Sequence, residues 1–173
     1  MATIKLEGFH TQNYTIPALT FPTLALGYEQ WLGDGFYFWQ DEQFARWWGQ
    51  SKKSNPVNPR FVIYLGTLEF DSEDFIDTVF NEEDYYEFCK IVEKFARKCQ
   101  MHLGRKPSLS EFNEFLDAYK IWDNICVIRF QDLPENNTHL EVEGFYYKKR
   151  IQIRVKKPEI ITKFVPYKNL ARV

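Results

Sequence analysis

The sequence predicts an α+β fold, and three observations carry that reading. Strand-like runs gather at both ends of the chain, amphipathic helices fill the middle, and strands and helices do not alternate regularly. The chain has 173 residues, 45% of them hydrophobic, so residues 1–173 are read as a single domain with a real core. Aromatic residues are in excess: 16 Phe, 10 Tyr and 5 Trp make up 18% of the chain, which excludes a disordered polypeptide.

Residues 3–9 read as a first strand. Residues 35–39, Gly-Phe-Tyr-Phe-Trp, form a short aromatic strand after a glycine turn. Asp41 then fits an N-cap, with Phe44, Ala45 and Trp48 at helical spacing. Two prolines and two asparagines make residues 51–60 a loop, and residues 61–70 are a long strand of aromatic and β-branched side chains.

Asn81 caps the clearest helix, with Asp84 at its third position and Phe88, Val92, Phe95, Ala96 and Cys99 on one stripe. Arg97 and Lys98 suit the dipole in its last turns, and Gly104 follows its end. Ser108 and Glu111 form a capping box before Phe112, Phe115, Leu116 and Tyr119. Residues 124–130 read as a buried strand, residues 134–137 as a turn, and residues 140–147 and 150–156 as two more strands. In the last of these, Ile151, Ile153 and Val155 alternate with Gln152, Arg154 and Lys156, which puts Gln152 on the face opposite the aliphatic residues.

The net charge of −2 hides a division. Residues 145–173 carry nine bases against one acid, +8, and the remainder carries 13 bases against 23 acids, −10. Such a basic end grips phosphate backbones or an acidic partner, or it pairs internally with the acidic body. No stretch is long and apolar enough to span a membrane, and the N-terminus lacks the apolar run of a signal peptide. Cys89, Cys99 and Cys126 have no metal spacing, so reduced thiols, a cytoplasmic location and no metal are expected.

One stretch asks for chemistry. Residues 31–39 read Trp-Leu-Gly-Asp-Gly-Phe-Tyr-Phe-Trp, where two glycines let the backbone approach a ligand closely. The stretch is neither a dinucleotide fingerprint nor a phosphate loop, because the third glycine and the Gly-Lys-Ser/Thr element are missing. Taken singly, a histidine such as His10 is more often a satisfied structural residue than a ligand, and Trp47 and Trp48 at helical spacing are more often core.

In order, Gly8-Phe9-His10-Thr11, then Gly33-Asp34-Gly35-Phe36-Tyr37-Phe38, then a helix with Ala45, Trp47 and Trp48, then Arg150-Ile151-Gln152-Ile153, form a pattern. It resembles the ADP-ribosyltransferases with a His–Tyr–Glu triad, the poly(ADP-ribose) polymerase and diphtheria toxin group. The resemblance spans residue 8 to about 155. It implies a split β-sheet core of two small sheets flanking a cleft for NAD, with two or three helices.

The resemblance also implies roles. His10 holds the adenosine-side ribose, and the backbone around Thr11 meets the nicotinamide carboxamide. Tyr37 stacks under the nicotinamide, with Trp47 or Trp48 on its other side, and Gly35, Phe36 and Ala45 complete the cofactor wall. The acidic position falls on Gln152 or, by a Glu-x-Glu mapping through Glu141, on Glu143, with Gln152 preferred. Two departures stand out: Thr11 replaces a glycine, and Gln152 is an amide that holds a hydroxyl but carries no charge. Compact chains of this kind resemble bacterial toxins of toxin–antitoxin or phage-defence systems. The implied partners are therefore an antitoxin protein and a nucleic-acid or protein acceptor. The basic, aromatic C-terminal segment, with Phe164 and Tyr167 among its lysines, favours nucleic acid. A plain NAD glycohydrolase and a non-catalytic NAD- or nucleic-acid-binding module are the competing expectations.

Overall fold

The computed structural model describes residues 2–27, 30, 32–53, 57–132 and 149–171. Seven strands run through them: β1 (Thr3–Asn13), β2 (Phe36–Trp39), β3 (Arg60–Asp71), β4 (Phe75–Asp77), β5 (Val127–Asp132), β6 (Arg150–Val155) and β7 (Ile161–Ala171). Three α-helices, α1 (Glu42–Trp48), α2 (Glu82–Leu103) and α3 (Leu109–Ala118), lie among them. The α+β class holds. The strands form one seven-stranded sheet in the order β4-β5-β6-β2-β1-β3-β7, rather than two separate sheets. Among the described strands only the β4–β5 pair is parallel.

The sheet is nonetheless pinched at its middle. β1 pairs with β3 over eleven consecutive positions, from Thr3↔Asp71 to Asn13↔Phe61. Its register with β2 is the single pair Phe9↔Trp39. A notch explains the close seat of β2. Gly8 and Gly66 face each other across β1 and β3, and Phe38, fully buried, packs on both. A Cβ on Gly8 would lie 2.7 Å from the Phe38 Cβ, and one on Gly66 would lie 2.5 Å from the Phe38 ring.

Phe36 and Phe38 of β2 join Leu68, Phe70, Val127, Ile153 and Val155 in the main core. On the other face, Trp39, Ala45, Phe61 and Ile63 bury α1 against the sheet. Helices α2 and α3 are held together by rings. Phe88 meets Phe112, Trp122 and Phe130 at centroid distances of 5.9, 5.8 and 5.2 Å, and Phe95 meets Phe115 at 4.6 Å. The stripe on α2, Cys89 and Cys99 included, is half-buried rather than core, because α2 covers the molecule from outside.

The local signals hold at the helix ends. Asp41 accepts from the Gln43 amide, and Asn81 accepts from the amides of Glu83 and Asp84. Ser108 and Glu111 close a capping box, and Gly104 ends α2 with φ at +67°. β1 runs four residues past its expected end because its ladder with β3 continues. Two strands were not expected at all: β4, of three residues, and β7 along the sheet edge. The expected turn at 134–137 and strand at 140–147, Glu141 and Glu143 included, lie outside the described residues.

Candidate functional site

Where β1 and β2 part, a cavity of about 830 Å³ opens. That size suits a ligand as large as a dinucleotide. His10, Thr11 and Gln12 of β1, Tyr37, Phe38 and Trp39 of β2, Trp47 and Trp48 of α1, and Arg150 and Gln152 of β6 line it. Lys52 and Lys53, from a π-helical turn at Gly49–Lys53, and Thr23 to Leu26 of the β1–β2 loop complete much of the wall.

His10 is buried, and its Nδ1 lies 2.8 Å from the Tyr37 carbonyl oxygen. A carbonyl only accepts, so Nδ1 carries the proton and Nε2 presents a lone pair. The Thr23 amide donates to Nε2 over a long 3.4 Å, and the Gln12 side-chain nitrogen stands at the same distance. Burial pushes the imidazole down to about 4, against the backbone bond to Tyr37 and aided by the charge of Lys53, so His10 is neutral at pH 7. The rings of Phe38 and Phe164 flank it at 5.6 and 5.8 Å.

Tyr37 is fixed from behind. Its hydroxyl donates to the Gly33 carbonyl at 2.6 Å and accepts from the Leu32 amide at 3.2 Å. Burial raises the phenol to about 12, so it stays protonated. Arg154 of β6, directly opposite Tyr37 in the register, donates from Nε to the Leu32 carbonyl at 3.0 Å. The glycine turn therefore anchors a ring, with Gly33 at φ +82° making the bend.

The structure puts six of the ten expected positions on this cavity: His10, Thr11, Tyr37, Trp47, Trp48 and Gln152. Glu143 lies outside the described residues, and Gly35, Phe36 and Ala45 lie elsewhere. Gly35 does not reach the lining: a Cβ there would lie 2.7 Å from both Arg154 Cδ and the Val155 carbonyl, so its bareness serves β2–β6 packing. Phe36 belongs to the main core, and fully buried Ala45 offers its carbonyl to the Thr11 hydroxyl at 2.8 Å. Thr11 is thereby a tie between β1 and α1 as well as a wall residue.

Trp39, Trp47 and Trp48 form one aromatic cluster, with centroids 6.1 to 6.3 Å apart. Gln152, opposite Trp39 in the β2–β6 register, is 9% exposed and faces the cavity. The cavity also holds cations that the triad pattern assigns no role. Arg150 stacks 4.3 Å over Trp47 and pairs with Asp132, and burial lowers the Lys53 ammonium. The Arg-x-Gln spacing on a strand was the available signal for Arg150, but side chains two apart on β6 share a face only once Gln152 is known to face the cavity.

Comparison of the chain with models of protein families, with curated proteins and with solved structures finds no match.

Proposed function

We propose that the chain is an NAD-dependent ADP-ribosyltransferase that binds NAD in the cavity between β1 and β2. What supports this most is the convergence of His10, Tyr37 and Gln152, from three different strands, on one cavity large enough for a dinucleotide and walled by tryptophans. The reaction breaks the bond between nicotinamide and ribose, the electron pair leaving with the neutral base. The acceptor then attacks the same ribose carbon and gives up a proton.

In this reading Tyr37, held at its hydroxyl by Leu32 and Gly33, presents a fixed ring to the nicotinamide. Neutral His10 accepts a ribose hydroxyl at Nε2, replacing the long contact from Thr23. Gln152 holds a hydroxyl next to the breaking bond through its amide oxygen. It supports the developing cation as a dipole and not as a charge, which makes for a slow enzyme. Free nicotinamide released from NAD by the whole chain tests this. Tyr37→Ala is expected to cut release at least tenfold, and Gln152→Glu to raise it. Release unchanged in Tyr37→Ala would remove the site assignment.

The amide at Gln152 also favours a second reading, an NAD-binding module that leaves the bond intact. NAD that binds without any nicotinamide release assigns it. For the acceptor, nucleic acid is the proposal. Its support is narrower than the charge count suggested: Lys149, Lys163 and Tyr167 are exposed, whereas Arg150, Lys156 and Lys168 of the same segment pair with Asp132, Asp117 and Glu42. With labelled NAD and cell extract, label lost to nuclease supports nucleic acid, and label lost only to protease overturns it.

A further inference from the structure

The ionisable lining of the cavity is unbalanced. Among the described residues it holds three cations, Lys52, Lys53 and Arg150, against one carboxylate, Asp132. Asp132 is already engaged by Arg150. Arg150 is 6% exposed, its face lies on Trp47, and its Nε has no partner among the described residues. A guanidinium has five donors, and a buried donor without an acceptor is costly.

The two lysines are also fixed at the backbone. They close the π-helical turn that begins at Gly49. A Cβ on Gly49 would fall 2.2 Å from the ring of fully buried Phe61, so the bare backbone of the turn lies flat on β3. Lys52 and Lys53 therefore rise into the cavity from a docked segment. Their charges have no carboxylate partner among the described residues, and Lys53 stands near enough to His10 to bias its titration. A pole of this kind favours an anion whose oxygens accept several donors at once.

We infer that Lys52, Lys53 and Arg150 form a phosphate pole of this cavity, which holds the pyrophosphate of a dinucleotide and makes the site select phosphorylated ligands over the nucleoside without phosphate. The inference rests on the reading of the cavity as a nucleotide site. It gives Lys52 and Lys53, which lie outside the triad pattern, and Arg150, which the pattern leaves without a role, a part in binding.

The test is titration of the whole chain with ADP-ribose, NAD and nicotinamide riboside, read by tryptophan fluorescence, beside the variant Lys52→Gln/Lys53→Gln. Both lysines lie outside the core, and the unfolding temperature of the variant checks its fold. ADP-ribose and NAD are expected to lose at least tenfold in affinity, with a weaker salt dependence, while nicotinamide riboside, a cation without phosphate, loses none. Lys53→Arg is expected to retain binding. NAD bound equally well by the variant overturns the phosphate pole and leaves the NAD site standing. ADP-ribose bound in a lysine-dependent way with no affinity for NAD keeps the pole and removes the proposed activity. No binding of any of the three ligands overturns both.

Discussion

At His10 the site and the stability of the fold meet. Its imidazole sits near 4 because burial disfavours the charged form, whereas an exposed histidine of the unfolded chain titrates near 6.5. Between these values the unfolded chain binds a proton that the folded one does not. The stabilising difference is therefore present above pH 6.5 and is lost as pH falls toward 4, by roughly 1.4 kcal/mol per unit and about 3 kcal/mol in all. His10→Gln should flatten the fall in urea midpoint across that window. An equal fall in the variant would remove His10 as its cause. Tyr37→Phe keeps the ring but strands the Gly33 carbonyl and the Leu32 amide. A loss of about 1–2 kcal/mol in denaturant unfolding is expected, with nicotinamide release closer to wild type than in Tyr37→Ala.

Among the elements, the junction of β2 with its neighbours decides whether a cavity exists. Phe38 fits there only because Gly8 and Gly66 leave a notch. Gly66→Ala should cost roughly 1–3 kcal/mol by overpacking, measured by urea unfolding, and should loosen the ligand wall on β2. A second joint lies at β4 and β5, where Arg129 grips buried Asp77 and reaches Gln40 at 3.3 Å, just past the end of β2. Burial alone would raise the Asp77 carboxyl, but Arg129 and the amides of Val79 and Phe80 outweigh it and hold it low. Asp77→Ala leaves a half-buried guanidinium without its carboxylate, held only by Gln40 and the rings of Phe75 and Phe80, and is expected to cost about 3–5 kcal/mol in the same assay.

The elements also mark how far the sequence could be read. Caps, boxes and long periodic stripes are local chemistry, and Asn81, Ser108 and Asp41 announced their helices correctly. β7 was hidden because Pro166 and interspersed lysines disguise a strand. Pro166 sits opposite Tyr64, where the β3–β7 register shifts, a place on an edge strand that needs no donor. Gly35 looked like a ligand contact because its bareness is visible in sequence, while the Arg154 side chain that fills the space comes from β6. The pairing of distant strands was not legible, and with it went the cations of the cavity.

For the whole molecule, part of the charge division of the sequence becomes internal, through Arg150, Lys156 and Lys168. Lys168 reaches Glu42 at 2.7 Å from the far edge strand, and Lys156 reaches Asp117 at 3.5 Å. The aromatic excess divides in the same way. One set of rings joins α2 to α3 and to the sheet, and another set surrounds the opening between β1 and β2. A sheet that is continuous in order yet joined at its centre by one residue pair gives the molecule a ready place to hold an extended ligand. The central claim is that this place holds NAD and breaks it. Free nicotinamide measured after mixing the whole chain with NAD tests that most directly. Release is expected, falling at least tenfold in Tyr37→Ala; no nicotinamide above the uncatalysed background would contradict it.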